Sequence, residues 1–232
     1  MSYFLGIDTS STELGVGLAH DGGVIAGVSR YVRNSHAEHI SRSIEFLLAS
    51  SGVKPTDVDH AVIAVGPGSF TGLRIGISFL KGFCFGRSVK ILPVSSLESM
   101  AFAWHDRQRP ITAAFDARNG EVFWARFVPE GTAIARTGED ALTSAAEFEK
   151  SIGEHDVVII DSLGNAKSSV FEFLKTRANV YTIEHYPVQR GLASARLGMQ
   201  AVHAPDRWTT CSEISPRYLS VTTMEKKLLC TP

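Results

Sequence analysis

Cysteine is scarce in this chain of 232 residues, and long apolar runs and an excess of charge of one sign are missing. The three cysteines, Cys84, Cys211 and Cys230, are scattered and lack metal-type spacing, which predicts a cytoplasmic protein without structural disulfides. No apolar segment approaches the roughly 20 residues of a membrane span, so no membrane contact is expected. The net charge of −1 provides no global basic field, so any role on RNA would need a partner's charge.

A glycine-rich segment, Gly66 to Gly76, lies between a β-branched apolar run and an apolar run that is compatible with a helix. This pattern predicts a buried strand, a tight loop and a helix that Ser69 or Thr71 caps. Two interpretations are open. The N–H groups at the helix start could bind an anion, or the glycines could simply allow close packing. A glycine-rich loop alone is a weak signal, and no lysine follows the last glycine as in a Walker loop.

The two halves of the chain repeat one order of predicted elements. Each half opens with a strand that ends in an aspartate and leads into a hairpin: 3–8 in the first half and 111–116 in the second. Helices and buried strands follow in both. The duplication predicts an α/β protein of two ribonuclease-H-like subdomains, each a mixed sheet flanked by helices, as in actin-like ATPases. We assign residues 1–108 to the N-terminal subdomain and residues 109–232 to the C-terminal one.

Two helix starts are predicted from local signals. Ser35 with Glu38 three residues later has the pattern of a capping box for a helix over 36–49. In the second half, Gly164 is expected to open a helix that runs to about Lys175.

The segment Asp8-Thr9-Ser10 closes the first strand and has the form of the phosphate-and-magnesium turn of actin-like ATPases. A second interpretation is a carboxylate that caps its own turn. The counterpart Asp116 is followed by Ala-Arg-Asn, where a second phosphate loop would have Gly and Ser or Thr. We therefore regard Asp8, Thr9 and Ser10 as the remnant of a nucleotide loop and assign no catalytic residue.

The only close cluster of metal-type ligands is formed by His36 and His39 with Glu38. Histidines three residues apart on a helix share a face, but the third ligand is missing, so no metal site is assigned. A His-Glu-x-x-His motif and a nucleophile elbow are also missing from the sequence, which leaves no catalytic set for a protease.

The helix predicted after the glycine loop is apolar nearly all round, unlike a surface helix with a single apolar face. Two interpretations remain open on these residues alone. The helix is either fully buried within the chain, or one of its faces packs against another protein.

Several segments, taken together and in order, carry a more specific resemblance. They are Asp8-Thr9-Ser10, Ser35-His36-Ala37-Glu38, the Gly66–Gly76 loop followed by Lys81-Gly82, Val94-Ser95-Ser96-Leu97-Glu98, Asp116-Ala117-Arg118-Asn119-Gly120-Glu121-Val122 and Pro216-Arg217-Tyr218-Leu219. This set resembles the bacterial TsaB (YeaZ) family, relatives of TsaD. The resemblance spans most of the chain.

The resemblance implies a non-catalytic partner subunit of TsaD in the synthesis of N6-threonylcarbamoyladenosine, a modified base beside the anticodon of transfer RNA. It further implies that TsaE joins the pair and that the chain forms a homodimer in isolation. Transfer RNA would be reached through the complex. No cofactor is expected on the chain alone, whereas ATP or ADP with magnesium is expected within the complex.

The TsaB family pairs through the first two helices of its N-terminal subdomain. Carried onto this sequence, that property predicts ten interface residues: His36, His39, Ile40, Phe70, Leu73, Arg74, Ile77, Leu80, Lys81 and Cys84. Two alternatives stay open. One is a stand-alone actin-like ATPase or phosphotransferase that uses the intact Asp8 turn, and the more distant one is a metalloprotease of the glycoprotease type.

Overall fold

Two mixed β-sheets and five α-helices form the part of the chain that the structure describes. The computed structural model describes residues 1–32, 35–104, 108–165, 168–174, 177, 179–183 and 188–219. The strands are β1 (Tyr3–Asp8), β2 (Glu13–His20), β3 (Gly23–Tyr31), β4 (Val58–Gly66), β5 (Lys90–Ser95), β6 (Ile111–Arg118), β7 (Glu121–Glu130), β8 (Ala133–Arg136), β9 (Ala141–Ser144), β10 (Val157–Asp161) and β11 (Val180–Thr182). The helices are α1 (His36–Ser50), α2 (Phe70–Cys84), α3 (Ser96–Ala103), α4 (Ala145–Ser151) and α5 (Arg190–Ala201). In the described part of the chain, no helix is long and apolar enough to cross a bilayer.

The two sheets share one connectivity. In the first sheet the order is β3-β2-β1-β4-β5, with β1 antiparallel to β2 and parallel to β4. In the second sheet the order is β8-β7-β6-β10-β11, with β6 antiparallel to β7 and parallel to β10, and β9 pairs with β7 beside this path. The strand that carries the aspartate, β1 or β6, is central in each sheet. The predicted duplication of a ribonuclease-H-like α/β unit is therefore confirmed.

Helices cover the first sheet on both of its faces. Helices α1 and α2 bury Ile40, Ile44, Leu47, Ile77 and Leu80 in a core cluster with residues of strands β1, β2 and β4. The apolar positions of α1 recur at helical spacing, which is why this segment forms an amphipathic helix on the sheet.

Helix α5 comes from near the end of the described chain and packs on the opposite face of the first sheet. Glycine makes this approach close, because a Cβ placed on Gly15 would lie 2.7 Å from the backbone nitrogen of Gly191, and one on Gly6 would overlap the Gly191 carbonyl oxygen. Helix α5 also contacts α3, where the hydroxyls of Ser99 and Ser194 lie 3.0 Å apart. The division between residues 108 and 109 stays a prediction.

The capping box predicted at the start of α1 is wrong. The Ser35 hydroxyl donates to the Val32 carbonyl at 2.7 Å and makes no capping hydrogen bond to the first turn of the helix. The Ser35 hydroxyl therefore bonds to the segment that precedes the helix and not to the helix itself. Helix α1 is held by the burial of its apolar face rather than by this cap.

The helix predicted from Gly164 is also wrong. Leu163 and Gly164 have φ angles of 51° and 74°, and the Leu163 backbone N–H donates to Asp161 Oδ1 at 2.7 Å. The left-handed backbone angles and this hydrogen bond form a turn where the first turn of a helix was predicted. Of residues 164–174, those that the structure describes contain only the 3₁₀ turn Glu172–Leu174. The short strand β9 is a further element that the sequence pattern did not predict.

Candidate functional site

The turn after β1 is closed inside the protein. Asp8, Thr9 and Ser10 are all buried, with at most 1% of each residue exposed. Asp8 Oδ1 accepts hydrogen bonds from the Ser10 backbone N–H at 2.8 Å and from the Ser10 hydroxyl at 2.6 Å. The Thr9 hydroxyl donates to the Gly72 carbonyl at 2.8 Å, which connects the turn to α2. The structure thus brings the three predicted residues together and gives them partners within the chain.

The glycine-rich loop packs directly against this turn. A Cβ on Gly72 would overlap the Thr9 carbonyl oxygen, and the Ser69 backbone N–H donates to the Ser10 carbonyl at 2.6 Å. The Ser69 hydroxyl accepts from the Gly72 N–H at 3.2 Å, so the predicted cap of α2 is confirmed. These contacts support the packing interpretation of the loop, because the chain itself fills the space in front of the helix start.

Arg190, the first residue of α5, lies within the same site, and sequence reasoning missed it. It is 1% exposed, and its guanidinium faces carboxylates from both sheets. The Nη1 atom donates to Asp161 Oδ2 at 3.3 Å, Nη2 lies 3.8 Å from Glu13 Oε2, and Nε lies 4.0 Å from Asp8 Oδ2. Nη2 also donates to the Ser11 hydroxyl at 2.5 Å.

A sequence signal for this burial exists. Arg190 directly precedes Gly191-Leu192-Ala193-Ser194-Ala195, a run of mostly small residues at the start of a helix. Small residues let a helix approach another element closely, and the side chain at the helix start is then carried into the interior. A sequence motif cannot connect Arg190 with Asp8, because the two residues are 182 positions apart (190 − 8).

Burial and opposite charge act against each other at this cluster. Burial raises the pKa of Glu13, and the positive charge of Arg190 opposes that rise. Burial would lower the pKa of Arg190, but the charges of Asp8, Glu13 and Asp161 outweigh it and raise that pKa, so the guanidinium is charged. Burial lowers the pKa of His36, whose ring therefore favours the neutral form.

The actin-like fold implies a nucleotide and magnesium at such a turn, and the residues of this chain do not fit them. A phosphate would bring negative charge to three carboxylates that share one guanidinium. The turn also exposes no surface to which a phosphate could bind, because all three of its residues are buried.

In the equivalent turn of the second sheet, the aspartate has different hydrogen-bond partners. Asp116 is buried, its Oδ1 accepts from the Arg118 backbone N–H at 2.6 Å, and its Oδ2 accepts from the Asn165 side-chain amide at 2.9 Å. Arg118 and Asn119 have φ angles of 68° and 52°, so the hairpin turns through left-handed residues. Both oxygens of this aspartate are engaged by local donors.

Helix α2 has two apolar faces, and only one lies in the core. The structure buries six of the ten predicted interface residues inside the chain: His36, Ile40, Leu73, Ile77, Leu80 and Cys84. The other four reach the surface: Phe70, Arg74 and Lys81 are exposed, and His39 is half-buried. The helix is therefore not fully buried within the chain. Its inner face lies in the core, and its outer face is open, as the second interpretation requires. The role of the ten residues in pairing stays a prediction.

A groove of about 510 Å³ runs along this outer face, between α1 and α2. Its lining residues are mostly apolar or uncharged: Ala37, Ile40, Phe70, Thr71, Arg74, Ile75, Ser78 and Phe79. Two further aromatic rings are exposed elsewhere on these elements, since Phe46 on α1 and Phe85 after α2 are 66% and 88% exposed. An apolar surface of this kind is typical of a protein interaction site.

Arg74 is held in place at one end of the groove. Its guanidinium carbon lies 3.8 Å from the centre of the Phe70 ring, and its Nε donates to the Tyr218 hydroxyl at 2.9 Å. The rings of Phe70 and Tyr218 stack with centres 5.0 Å apart. The remaining N–H groups of an arginine held in this way can donate to a partner's carboxylate.

The two histidines of the predicted cluster differ in position. His36 is buried at the start of α1, and His39 is half-buried on the same helix. Within the described ranges, no group of three His, Cys, Asp or Glu residues is arranged to hold a metal ion.

Comparison with solved structures identifies the fold class of this chain. A solved structure of YeaZ from Pseudomonas aeruginosa matches with a TM-score of 0.76 at 23% identity over 94% of this chain and 100% of that chain. An activator of 2-hydroxyisocaproyl-CoA dehydratase from Clostridium difficile matches with a TM-score of 0.51 at 12% identity, over 94% of this chain and 100% of that one. These likenesses, with the duplicated sheets, define a protein of the two-lobed actin-like ATPase fold.

The family follows from sequence. The model of the TsaD family, described as tRNA N6-adenosine threonylcarbamoyltransferase, matches residues 18–196. The tRNA threonylcarbamoyladenosine biosynthesis proteins TsaB of Bacillus subtilis and Escherichia coli are 31% and 38% identical over 66% and 53% of this chain. The aligned regions span 66% and 54% of the length of those relatives. The chain belongs to this family and, within it, to the TsaB (YeaZ) group, as the resemblance predicted.

Proposed function

We propose that this chain is the non-catalytic partner subunit of a TsaD-type transferase in the N6-threonylcarbamoyladenosine modification of transfer RNA. The observation that carries the proposal is the open apolar groove between α1 and α2, on the part of the fold through which the family is expected to pair. Family membership supplies the pathway, because the named curated relatives are threonylcarbamoyladenosine biosynthesis proteins.

The partner should present an apolar helical surface with a carboxylate near one end. Apolar side chains would fill the groove beside Ile75 and Phe79, and the carboxylate would meet Arg74. Arg74 is held over the Phe70 ring before binding, so little side-chain freedom is lost when the pair forms.

The state of the two aspartate turns supports a subunit without its own catalysis. Asp8 faces a buried arginine, and both oxygens of Asp116 accept hydrogen bonds from the chain. The chemistry therefore belongs to the partner in this proposal. ATP or ADP with magnesium would bind within the complex, TsaE would join the pair, and the chain alone would form a homodimer through the groove. We place the complex in the cytoplasm, with transfer RNA reached through the partner.

The proposal is tested by threonylcarbamoyl incorporation into unmodified transfer RNA. The reactions contain TsaC, the pathway enzyme that makes threonylcarbamoyl-adenylate from threonine, bicarbonate and ATP, together with TsaD and TsaE from the same source. The chain is added or omitted. We expect modification only when the chain is present. Equal incorporation in both reactions would contradict the proposal.

A groove variant links this activity to the surface. Ser78 lies exposed on the outer face of α2, so Ser78→Arg places a bulky charge in the groove without removing a core contact. We expect at least a tenfold loss of TsaD affinity by calorimetry, with an unchanged unfolding midpoint. The matched control is Ser169→Arg, an exposed serine in the second half of the chain, which should bind normally. Normal binding by Ser78→Arg would show that the interface lies on another surface of the chain.

A further inference from the structure

The buried arginine of α5 has a role that the pairing proposal does not use. We propose that the Arg190 guanidinium is an internal cation that fills a carboxylate site between the two lobes, so that the lobes close without a nucleotide or a metal ion. Removal of this side chain should then leave a site for a small external cation. The proposal concerns the isolated chain, so its outcome is independent of the partner.

The position of the guanidinium is the first argument. Asp8 and Glu13 belong to the first sheet, whereas Asp161 ends β10, the strand beside the central strand β6 of the second sheet. Arg190 lies within 4.0 Å of a carboxylate oxygen of each. One side chain therefore connects the carboxyl end of β1 in the first sheet with that of β10 in the second, and ligands of α/β proteins usually bind at the carboxyl ends of strands.

The shape of the guanidinium is the second argument. Its Nε, Nη1 and Nη2 atoms each face a different acidic side chain, and Nη2 also donates to the Ser11 hydroxyl. A lysine carries one ammonium group and cannot direct three separate nitrogens at three carboxylates. Close glycine packing of α5 on the first sheet brings the arginine to this depth.

An unpartnered oxygen is the third argument. Asp8 is fully buried, and its Oδ2 has no hydrogen-bond partner, although it points toward Arg190 Nε, which also lacks one. The two atoms lie 4.0 Å apart, so they attract each other by charge alone. The oxygen is thus an unpaired acceptor that faces the guanidinium. Carboxylate oxygens are the donor type that Mg²⁺ and Mn²⁺ prefer, and these side chains would have to move together to bind such an ion after the guanidinium is removed.

The charges explain why the site needs an occupant. With the guanidinium removed, three acidic side chains would lose the cation that faces all of them, which is unfavourable because buried carboxylates repel and lose their hydration. A small cation that enters the space would relieve that repulsion. The wild-type chain, whose site is filled, should show no such response.

The test compares Arg190→Ala with the wild type in thermal unfolding, each with and without MnCl₂, MgCl₂ or ethylguanidinium chloride. We expect the substitution to lower the Tm by roughly 10 °C. A cation at about ten times its dissociation constant should raise the variant's Tm by about 3–5 °C and leave the wild type unchanged. Sodium chloride at the same ionic strength is the salt control.

The matched control is Arg126→Ala. Arg126 makes two hydrogen bonds of 2.9 Å to Asp156, so its loss also breaks an arginine–aspartate pair, but it exposes a single carboxylate. We expect this variant to lose stability without recovery by divalent cations. Equal recovery of both variants would show a nonspecific effect and overturn the proposal, as would no recovery of Arg190→Ala by any of the three cations.

Two further measurements keep the proposal testable if Arg190→Ala does not fold. Arg190→Lys keeps the charge in the site, and we expect it to fold, to be less stable than the wild type and to show no cation response. Calorimetry of wild-type protein with magnesium and ATP should show no binding. Tight binding by the wild type that Asp8→Asn abolishes would overturn the proposal, because the Asp8 site would then be open to an external ligand.

Discussion

The two aspartate turns occupy equivalent places in the duplicated sheets, yet the chain satisfies them differently. Asp8, at the end of β1, faces Arg190, a charge that α5 brings from the far end of the described chain. Asp116, on β6, accepts from the Arg118 backbone N–H and the Asn165 amide, which belong to its own half. The first turn depends on a distant helix, and the second depends on local hydrogen bonds.

This difference shows that the chain can satisfy the same strand-and-aspartate geometry in two ways. A strand that ends in an aspartate places a carboxylate in the interior between the lobes, where a charge without a partner is unfavourable. In the first sheet the guanidinium of Arg190, which is distant in sequence, compensates the charge of the buried carboxylate. In the second sheet neutral hydrogen-bond donors do so. The packing of α5 should therefore control the first turn while leaving the second nearly unaffected.

The largest expected effect comes from separating α5 from the first sheet. Gly191→Ala adds a methyl group that would overlap the backbone of Gly15 and Val16, so the helix must shift and carry Arg190 with it. We expect the free energy of unfolding to fall by about 3 kcal/mol or more, a Tm change of roughly 10 °C. Thermal and urea unfolding of the variant measure this.

The control for that variant is Gly82→Ala in α2. A Cβ on Gly82 meets no atom within 4 Å, so alanine should stabilise the helix by about 0.5–1 kcal/mol. If Gly191→Ala were as stable as Gly82→Ala, the close packing of α5 would not hold Arg190 in the site.

A smaller effect is expected from removing each aspartate in turn. Asp8→Ala leaves Arg190 with one carboxylate fewer and leaves both Ser10 donors without their acceptor, so we expect a loss of about 3 kcal/mol. Asp116→Ala leaves two neutral donors unsatisfied, so we expect about 1–2 kcal/mol. Urea unfolding of both variants provides the comparison. Equal losses would mean that the charge of Arg190 adds nothing to the first turn.

Much of this architecture can be predicted from the sequence, because its signals are local. The strand that ends at Asp8, the hairpin after it and the apolar face of α1 with Ile40 and Ile44 follow from periodicity and turn residues. The Ser69 cap is likewise a short-range pattern, and the structure contains it.

The errors and omissions arise where distant parts of the chain decide. Ser35 has the right spacing for a cap but bonds back to Val32, and the segment after Gly164 forms a turn in which Asn165 reaches Asp116. Arg190 was missed for the same reason, since its burial depends on glycines in β1 and β2. Sequence patterns show which residues are unusual and do not show which distant residue will face them.

The smallest effect compares the two lobes by their pH dependence. Burial raises the pKa of Glu13 beside Arg190 above its ordinary value of 4.5. For Asp156 in the second lobe, burial would raise the pKa, but hydrogen bonds from Arg126, Thr112 and the Gly153 N–H outweigh burial and hold it below 3.8. The two groups therefore shift in opposite directions, and their contributions to stability should vary with pH in opposite senses.

The stability contributed by Glu13 is full below pH 4.5 and is lost as the pH rises through the pKa of the folded state, because the folded protein binds its proton more tightly. That of Asp156 is full above pH 3.8 and is lost as the pH falls through its folded pKa. We expect Glu13→Gln to flatten the decline above pH 4.5 and Asp156→Asn to flatten the acid decline, measured by urea unfolding from about pH 3 to about pH 8. A Glu13→Gln curve parallel to the wild type above pH 4.5 would mean that the folded state does not hold the Glu13 proton more tightly than the unfolded state.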